Sequence, residues 1–118
     1  MPLERRTFLT AASAAIATAR FPILGANDRI QVGVVGLGGR GAHLLNLVLH
    51  RIQAQNDAQV VALCDVYNAR LSKAAAKAPD ARKYTIHQEL LAQSGIDAVF
   101  IATPDHWHAP ITLAALDR

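Results

Sequence analysis

The glycines that follow the first apolar run have a spacing that suits one kind of chemistry. The run 30–35 is rich in β-branched residues and passes directly into a Gly-x-Gly-x-x-Gly pattern, and a segment with helical spacing follows. A strand, tight turn and helix in this order bring the free N–H groups of the helix start against an anion. The pattern predicts a loop that holds the pyrophosphate of a dinucleotide; a glycine-rich turn without a ligand is the alternative. The loop consists of Gly36, Leu37, Gly38, Gly39, Arg40 and Gly41.

An acidic residue ends the second apolar run. Asp65 directly follows the stretch 59–64. A carboxylate at the end of the second strand of such a unit can accept hydrogen bonds from the adenosine ribose hydroxyls, which favours NAD over the 2′-phosphate of NADP. Capping of the next helix is a second role for Asp65 and is compatible with the first. Arg70 lies close enough in sequence to leave NADP open.

Polar and aromatic residues follow the fourth apolar run. We predict a loop over 103–110, with the next helix beginning near Pro110. Because this loop leaves the carboxyl end of a strand, it faces the same crevice as the glycine turn, and a histidine there is placed for polar contact with a nicotinamide or a substrate. His106 and His108 have no nearby third ligand, so we predict no metal site. We expect Trp107 to pack against the protein rather than to stack on a ligand.

The alternation of strands and helices defines the fold class. Apolar spacing after the glycine turn predicts, in order, a helix over 40–54, a strand over 59–64, a helix over 68–78, a strand over 83–86, a helix over 88–93 and a strand over 97–102. This alternation predicts an α/β fold, a doubly wound parallel sheet of the Rossmann type with about four strands in the order 3-2-1-4. The cofactor then lies where the order reverses. Strand four would be an uncovered apolar edge, so we expect an incomplete sheet from a longer protein.

Composition bounds the class of protein. The chain has 118 residues, a formal net charge of +3 and one cysteine. This length suits one modest domain. The basic residues are scattered, which is typical of solvated helix faces and not of a nucleic-acid interface. Cys64 cannot form an internal disulfide, and its apolar neighbours indicate a buried, inert thiol.

Residues 1–26 have the pattern of an export signal followed by a linker. Arg5 and Arg6 precede a weakly apolar stretch over 8–19, which is too short to span a bilayer and has the length of a signal-peptide core. Paired arginines in this setting are similar to a twin-arginine signal, which directs folded, cofactor-loaded proteins to the periplasm. A cytoplasmic enzyme with an N-terminal helix is the alternative. The dinucleotide-binding part then occupies 27–118.

Three stretches together resemble the Gfo/Idh/MocA family of dinucleotide-dependent oxidoreductases. They are 34–41, 64–67 and 101–108, and the last, which contains Thr-Pro-Asp-His-Trp-His, is the most specific. The likeness covers about 29–118. Several members of the family have twin-arginine signals, so the N-terminus fits as well.

The resemblance assigns roles to individual residues. It implies that Arg40 lies near the phosphates and that His108 stands near the nicotinamide or the substrate. In the family, a Glu-Lys-Pro motif follows the next strand, and its lysine is a principal catalytic residue; this chain does not contain that motif. The residues expected at the cofactor, NAD with NADP still open, are Gly36, Leu37, Gly38, Gly39, Arg40, Gly41, Asp65, Thr103, Pro104 and His106.

The function that follows is part of an oxidoreductase. We expect the intact protein to transfer a hydride between a sugar, polyol or related compound and NAD(P), and to form a homo-oligomer, while the 118-residue chain alone is inactive. An NAD-dependent glycosidase of the same family and a non-catalytic dinucleotide-binding module are the alternatives. A methyltransferase with a glycine-rich loop fits less well, because of the third glycine and the Thr-Pro-Asp-His sequence.

Overall fold

The computed structural model describes residues 28–118. The predicted export signal and linker over 1–26 lie outside the described residues. Strands and helices alternate strictly, as follows: β1 (Ile30–Val35), α1 (Gly39–Gln55), β2 (Ala58–Cys64), α2 (Asn68–Lys77), β3 (Arg82–Tyr84), α3 (His87–Leu91), β4 (Ala98–Ile101) and α4 (Asp105–Leu116). Within 28–118, no helix is both long and apolar enough to cross a membrane.

The four strands form one parallel sheet in the order β3-β2-β1-β4. Val35 at the end of β1 pairs with Cys64 on β2 and with Ile101 on β4, and Cys64 pairs with Tyr84 on β3. All four carboxyl ends therefore meet at one edge of the sheet. The predicted fold class and strand order are confirmed.

Alternate residues of the central strands face two separate layers of helices. Val34 and Leu63 are fully buried beneath α1 and α2, against Leu45 and Leu71. The next residue of each strand, Val35 or Cys64, faces the opposite layer, where α3 and α4 contribute apolar side chains. Since both faces of the sheet are covered, the strands read as near-continuous apolar runs.

The first two helices each bury an apolar face, in agreement with the apolar spacing that predicted them. On α1, Leu45 is buried while Val48 and Ile52 pack against the core at helical spacing. The helix ends at Asn56, whose N–H still donates to the Ile52 carbonyl and whose left-handed backbone (φ 52°) turns the chain out of the helix. On α2, Leu71 and Ala74 are buried.

The last helix begins earlier than predicted. The sequence was expected to form a loop over 103–110, but α4 already starts at Asp105, with Pro104 at its N-cap. Pro104 lacks an N–H that the helix start would leave unsatisfied, and the Asp105 carboxylate lies in the first turn, where the helix dipole favours negative charge. Pro110 is instead inside the helix. The three aromatic and histidine residues before it are helical, not loop, residues.

Candidate cofactor site

The glycine turn is built by close contacts that exclude side chains. Gly36 has a positive φ of 92°, and a Cβ on it would lie 2.7 Å from the Ala102 carbonyl at the end of β4. A Cβ on Gly41 would fall on the carbonyl oxygen of Gly36. The turn therefore sits directly between β1, β4 and the start of α1, as predicted for a strand, turn and helix unit.

The start of α1 can receive an anion. Gly38 is the N-cap and makes no side-chain capping hydrogen bond, and the first turn contains no acidic residue. The first N–H groups of a helix have no acceptor within it, and they lie at the positive end of its dipole. A Cβ on Gly39 would meet nothing within 4 Å, and Arg40 is exposed beside it. This open cradle fits the pyrophosphate of a dinucleotide.

Asp65 ties the glycine turn to the end of β2. The residue is only 7% exposed. Its Oδ2 accepts a hydrogen bond from the Leu37 N–H (2.8 Å), and its Oδ1 accepts one from the Tyr67 N–H (2.8 Å). Tyr67, not Asp65, is the N-cap of α2, so Asp65 turns the chain just before the helix rather than capping it. A carboxylate has about four acceptor positions, so ribose hydroxyls can still be bound.

Basic side chains from α1 and α2 lie near the glycine turn. The Arg70 guanidinium lies over the Tyr67 ring, 5.6 Å from its centroid, and its Nη1 is 3.3 Å from where a Cβ of Gly38 would be. His43 and Lys73 line the same cleft between the two helices, which contains no carboxylate in its lining. The sequence placed Arg70 near the cofactor. His43 and Lys73 were missed because only helix packing brings them there.

The end of β4 faces the glycine turn from the other side. Thr103 has a buried hydroxyl oxygen without a hydrogen-bond partner among the described residues. The His108 Nε2–H donates to the Thr103 carbonyl, so this ring holds the strand-to-helix turn. His106 is exposed on the first turn of α4. The structure thus brings Thr103, Pro104 and His106 to the predicted edge, while His108 is engaged with the backbone.

Cys64 contributes no reactive group to this edge. The residue is 3% exposed, and burial, followed by the negative charges of Asp65 and Glu89, raises the pKa of its thiol from 9.0 to about 11. A protonated thiol is neither a nucleophile nor a metal ligand. Among residues 28–118, no three His, Cys, Asp or Glu side chains are grouped to hold a metal ion.

The parallel sheet, its reversal of order between β1 and β4, and the glycine turn at that reversal define an NAD-binding Rossmann domain. The chain belongs to the Gfo/Idh/MocA family: the family model described as "Oxidoreductase family, NAD-binding Rossmann fold" matches residues 30–118.

Relatives and solved structures agree with this assignment. The chain is 35% identical to a glycosyl hydrolase family 109 protein of Stenotrophomonas maltophilia, over 97% of this chain and 27% of the relative. It is 34% identical to an inositol 2-dehydrogenase of Corynebacterium glutamicum, over 75% of this chain and 25% of the relative.

A myo-inositol dehydrogenase from Lactobacillus casei, solved in complex with NAD(H) and myo-inositol, superposes with a TM-score of 0.69 and 28% identity over 76% of this chain and 26% of that one. The chain therefore spans about a quarter of the length of these relatives.

Proposed function

We propose that this domain holds NAD(P) for an oxidoreductase that acts on a sugar, polyol or related compound. The observation that supports the proposal most directly is the uncapped start of α1 (Gly39–Gln55) beside the Gly36 turn, at the reversal of strand order. The inositol 2-dehydrogenase and the myo-inositol complex among the similar proteins support the substrate class. As this chain lacks the family's Glu-Lys-Pro motif, we propose that it is inactive alone.

The residues at the carboxyl ends of the strands each have a role in this proposal. The N–H groups at the start of α1 and the Arg40 guanidinium neutralise the pyrophosphate. Asp65 accepts from the adenosine ribose while it holds the Leu37 N–H. Thr103 and Pro104 line the groove on the side of β4, where the Thr103 hydroxyl is buried and has no hydrogen-bond partner among the described residues. Bound NAD(P) supplies the carbon that accepts or donates the hydride.

A substitution in the glycine turn offers a test of the binding role. Gly38→Ala adds a methyl group where the pyrophosphate approaches, and its contact within the protein is a movable arginine at 3.3 Å. We expect this variant to fold and to bind NAD at least about tenfold more weakly, a loss of about 1.4 kcal/mol. Gln53→Ala is the control, because Gln53 is exposed in the last turn of α1, away from the glycine turn. If calorimetric titration shows that both variants bind NAD with equal affinity, the glycine turn is not part of the binding site.

A glycosidase that uses NAD transiently is the second candidate. The glycosyl hydrolase family 109 relative favours it, because that alignment covers 97% of the chain, more than the inositol 2-dehydrogenase does. Assays of the intact protein on sugar and polyol substrates separate the two. Net formation of NADH supports the dehydrogenase, whereas release of sugar without net NADH supports the glycosidase.

A further inference from the structure

An open cavity lies at the amino ends of the strands, on the sheet face that α3 and α4 cover. α3 has five residues and is about 8 Å long, whereas β2 is about 23 Å long. Because α3 runs back along the sheet from the end of β3, it stops partway, and the turn over 92–97 borders the uncovered part. The cavity has a volume of about 370 Å³, within the range of small-molecule sites.

The floor of this cavity is shaped by an irregularity in β2. Val32 pairs with Val60, whereas the next residue of β1 pairs with Ala62. Val61 therefore has no partner on β1. Val61 and Ala62 are consecutive, yet both line the cavity, whereas a regular strand would turn one of them to the opposite face. Such bulges are rare in parallel pairs and are over-represented next to active sites.

Polar side chains with spare hydrogen-bonding capacity surround this floor. Gln31 and Gln59 are register partners near the starts of β1 and β2, and both are half-buried in the lining. Within residues 28–118, neither carboxamide is hydrogen-bonded to another residue. Arg82 at the start of β3 is held by its Nη1–H, which donates to the Gln93 Oε1 (2.9 Å). This bond leaves other guanidinium N–H groups available to a ligand.

The turn that borders the cavity is tied to β1. The Asp97 N–H donates to the Gln31 carbonyl, and the Gln31 N–H donates to the Asp97 Oδ2, both at 2.8 Å. Gly95 has a φ of 85°, and a Cβ on it would lie 3.2 Å from the Gln31 Oε1. The Gln31 side chain therefore lies against this turn. The polar wall is positioned before a ligand arrives, which reduces the cost of binding.

We propose that this cavity is a second binding site of the domain, for an uncharged polyhydroxy compound such as a monosaccharide or a cyclitol. Carboxamides donate and accept hydrogen bonds, as hydroxyl groups do, so Gln31 and Gln59 match a ligand with several hydroxyls. The lining contains one carboxylate, Asp80, and one guanidinium, Arg82, so its formal charge favours neither an anion nor a cation. The Tyr84 ring adds an apolar face beside a hydroxyl, which suits a ring with both C–H and O–H groups.

This site is separate from the cofactor edge. Gln31 and Gly36 are five positions apart along β1, a distance of about 16 Å. One small polyhydroxy molecule does not reach both. Occupation of the cavity is therefore independent of bound NAD(P), and this proposal does not rest on the proposed function of the glycine turn.

Nuclear magnetic resonance of the isotope-labelled 118-residue chain tests the site, with myo-inositol as the probe. We expect saturable shifts of the Gln59 and Ser94 backbone amides, unchanged when NAD is present. Gln59→Ala removes one carboxamide from the lining and should weaken binding about 2- to 10-fold. Gln88→Ala is the matched control, because Gln88 is exposed on α3 and does not line the cavity. Thermal unfolding of both variants shows that the fold is retained.

Three results would overturn the site. Shifts confined to Gly36 and Thr103 would place the polyol at the cofactor edge, which supports the proposed substrate class but not the cavity. Shifts that do not saturate, or that are equally strong in Gln59→Ala, would show that the cavity does not recognise the compound. If inorganic phosphate gives saturable shifts at Arg82 and myo-inositol gives none, the cavity is an anion site instead.

Discussion

At the scale of single residues, Asp65 links binding to stability. Its buried carboxylate accepts hydrogen bonds from the Leu37 and Tyr67 N–H groups. We predict that Asp65→Ala lowers the free energy of unfolding by about 2–4 kcal/mol, because two charge-assisted hydrogen bonds are lost and two donors lose their acceptor. Urea denaturation followed by circular dichroism measures this change.

The same substitution tests the ribose contact. Loss of the loop support weakens NAD and NADP equally, so any extra loss for NAD measures the contact with the ribose hydroxyls. We expect NAD to lose more affinity than NADP. Asp65→Asn, which keeps one acceptor oxygen for either backbone donor, is the control for loop support. Equal losses for the two cofactors in both variants would leave Asp65 with a structural role alone.

Cys64 makes the stability of the fold depend on pH in the alkaline range. Its thiol pKa is raised from 9.0 to about 11 in the folded protein, chiefly by burial. The folded state therefore favours the neutral thiol, and this contribution to stability is fully present below pH 9 and is lost as the pH rises through about 11. We predict that Cys64→Ala reduces the loss of stability between these two pH values, measured by urea denaturation across the range. An identical pH profile in both proteins would show that the thiol does not titrate differently on folding.

At the scale of elements, Pro110 destabilises α4, and its substitution should increase the free energy of unfolding. Pro110 lies inside the helix and lacks the N–H that would bond to the carbonyl of His106. We predict that Pro110→Ala stabilises the protein by about 2–3 kcal/mol, which is the helix-interior penalty of about 3 kcal/mol less the unfolded chain's gain in freedom of about 0.4–1 kcal/mol. Thermal unfolding should show a higher midpoint.

Pro79→Ala is the matched control for this prediction. Pro79 is exposed just after α2, in a turn where no helical hydrogen bond is lacking. Its replacement should lower stability slightly, by about 0.4–1 kcal/mol, because only the freedom of the unfolded chain changes. A fall in midpoint for Pro110→Ala as large as that for Pro79→Ala would mean that the proline ring is accommodated without cost.

Local signals decided which elements could be predicted from the sequence. α1 follows its apolar spacing at Leu45, Val48 and Ile52, so its predicted span differs from the observed one by a residue at each end. The start of α4 was placed wrongly because two prolines, Pro104 and Pro110, each suit a helix start. An acidic residue directly after the first proline is the additional signal that distinguishes them.

At the scale of the whole molecule, the strand order was predictable from the sequence, whereas contacts between distant turns were not. Alternating strands and helices with a glycine turn after β1 define the order 3-2-1-4, because right-handed crossovers leave few other arrangements. The contact between the His87 and Trp107 rings joins the starts of α3 and α4, and neither residue has a local pattern that signals it. Likewise, the Asp65–Leu37 bond joins residues that only the assembled sheet brings together.

The destination of the intact protein is the remaining prediction at this scale. Arg5 and Arg6 precede the apolar stretch over 8–19, outside the described residues, and the twin-arginine route depends on the paired guanidinium groups and not on charge alone. We predict that replacing both with lysine leaves the protein in the cytoplasm, whereas Arg20→Lys, beyond the apolar stretch, leaves export unchanged. Immunodetection in separated periplasmic and cytoplasmic fractions measures the distribution. Because this route carries folded proteins, the cofactor-binding domain would have to fold before transport. A folding-defective Gly36→Val variant should therefore also stay in the cytoplasm. Unchanged export of the double-lysine protein would refute the route.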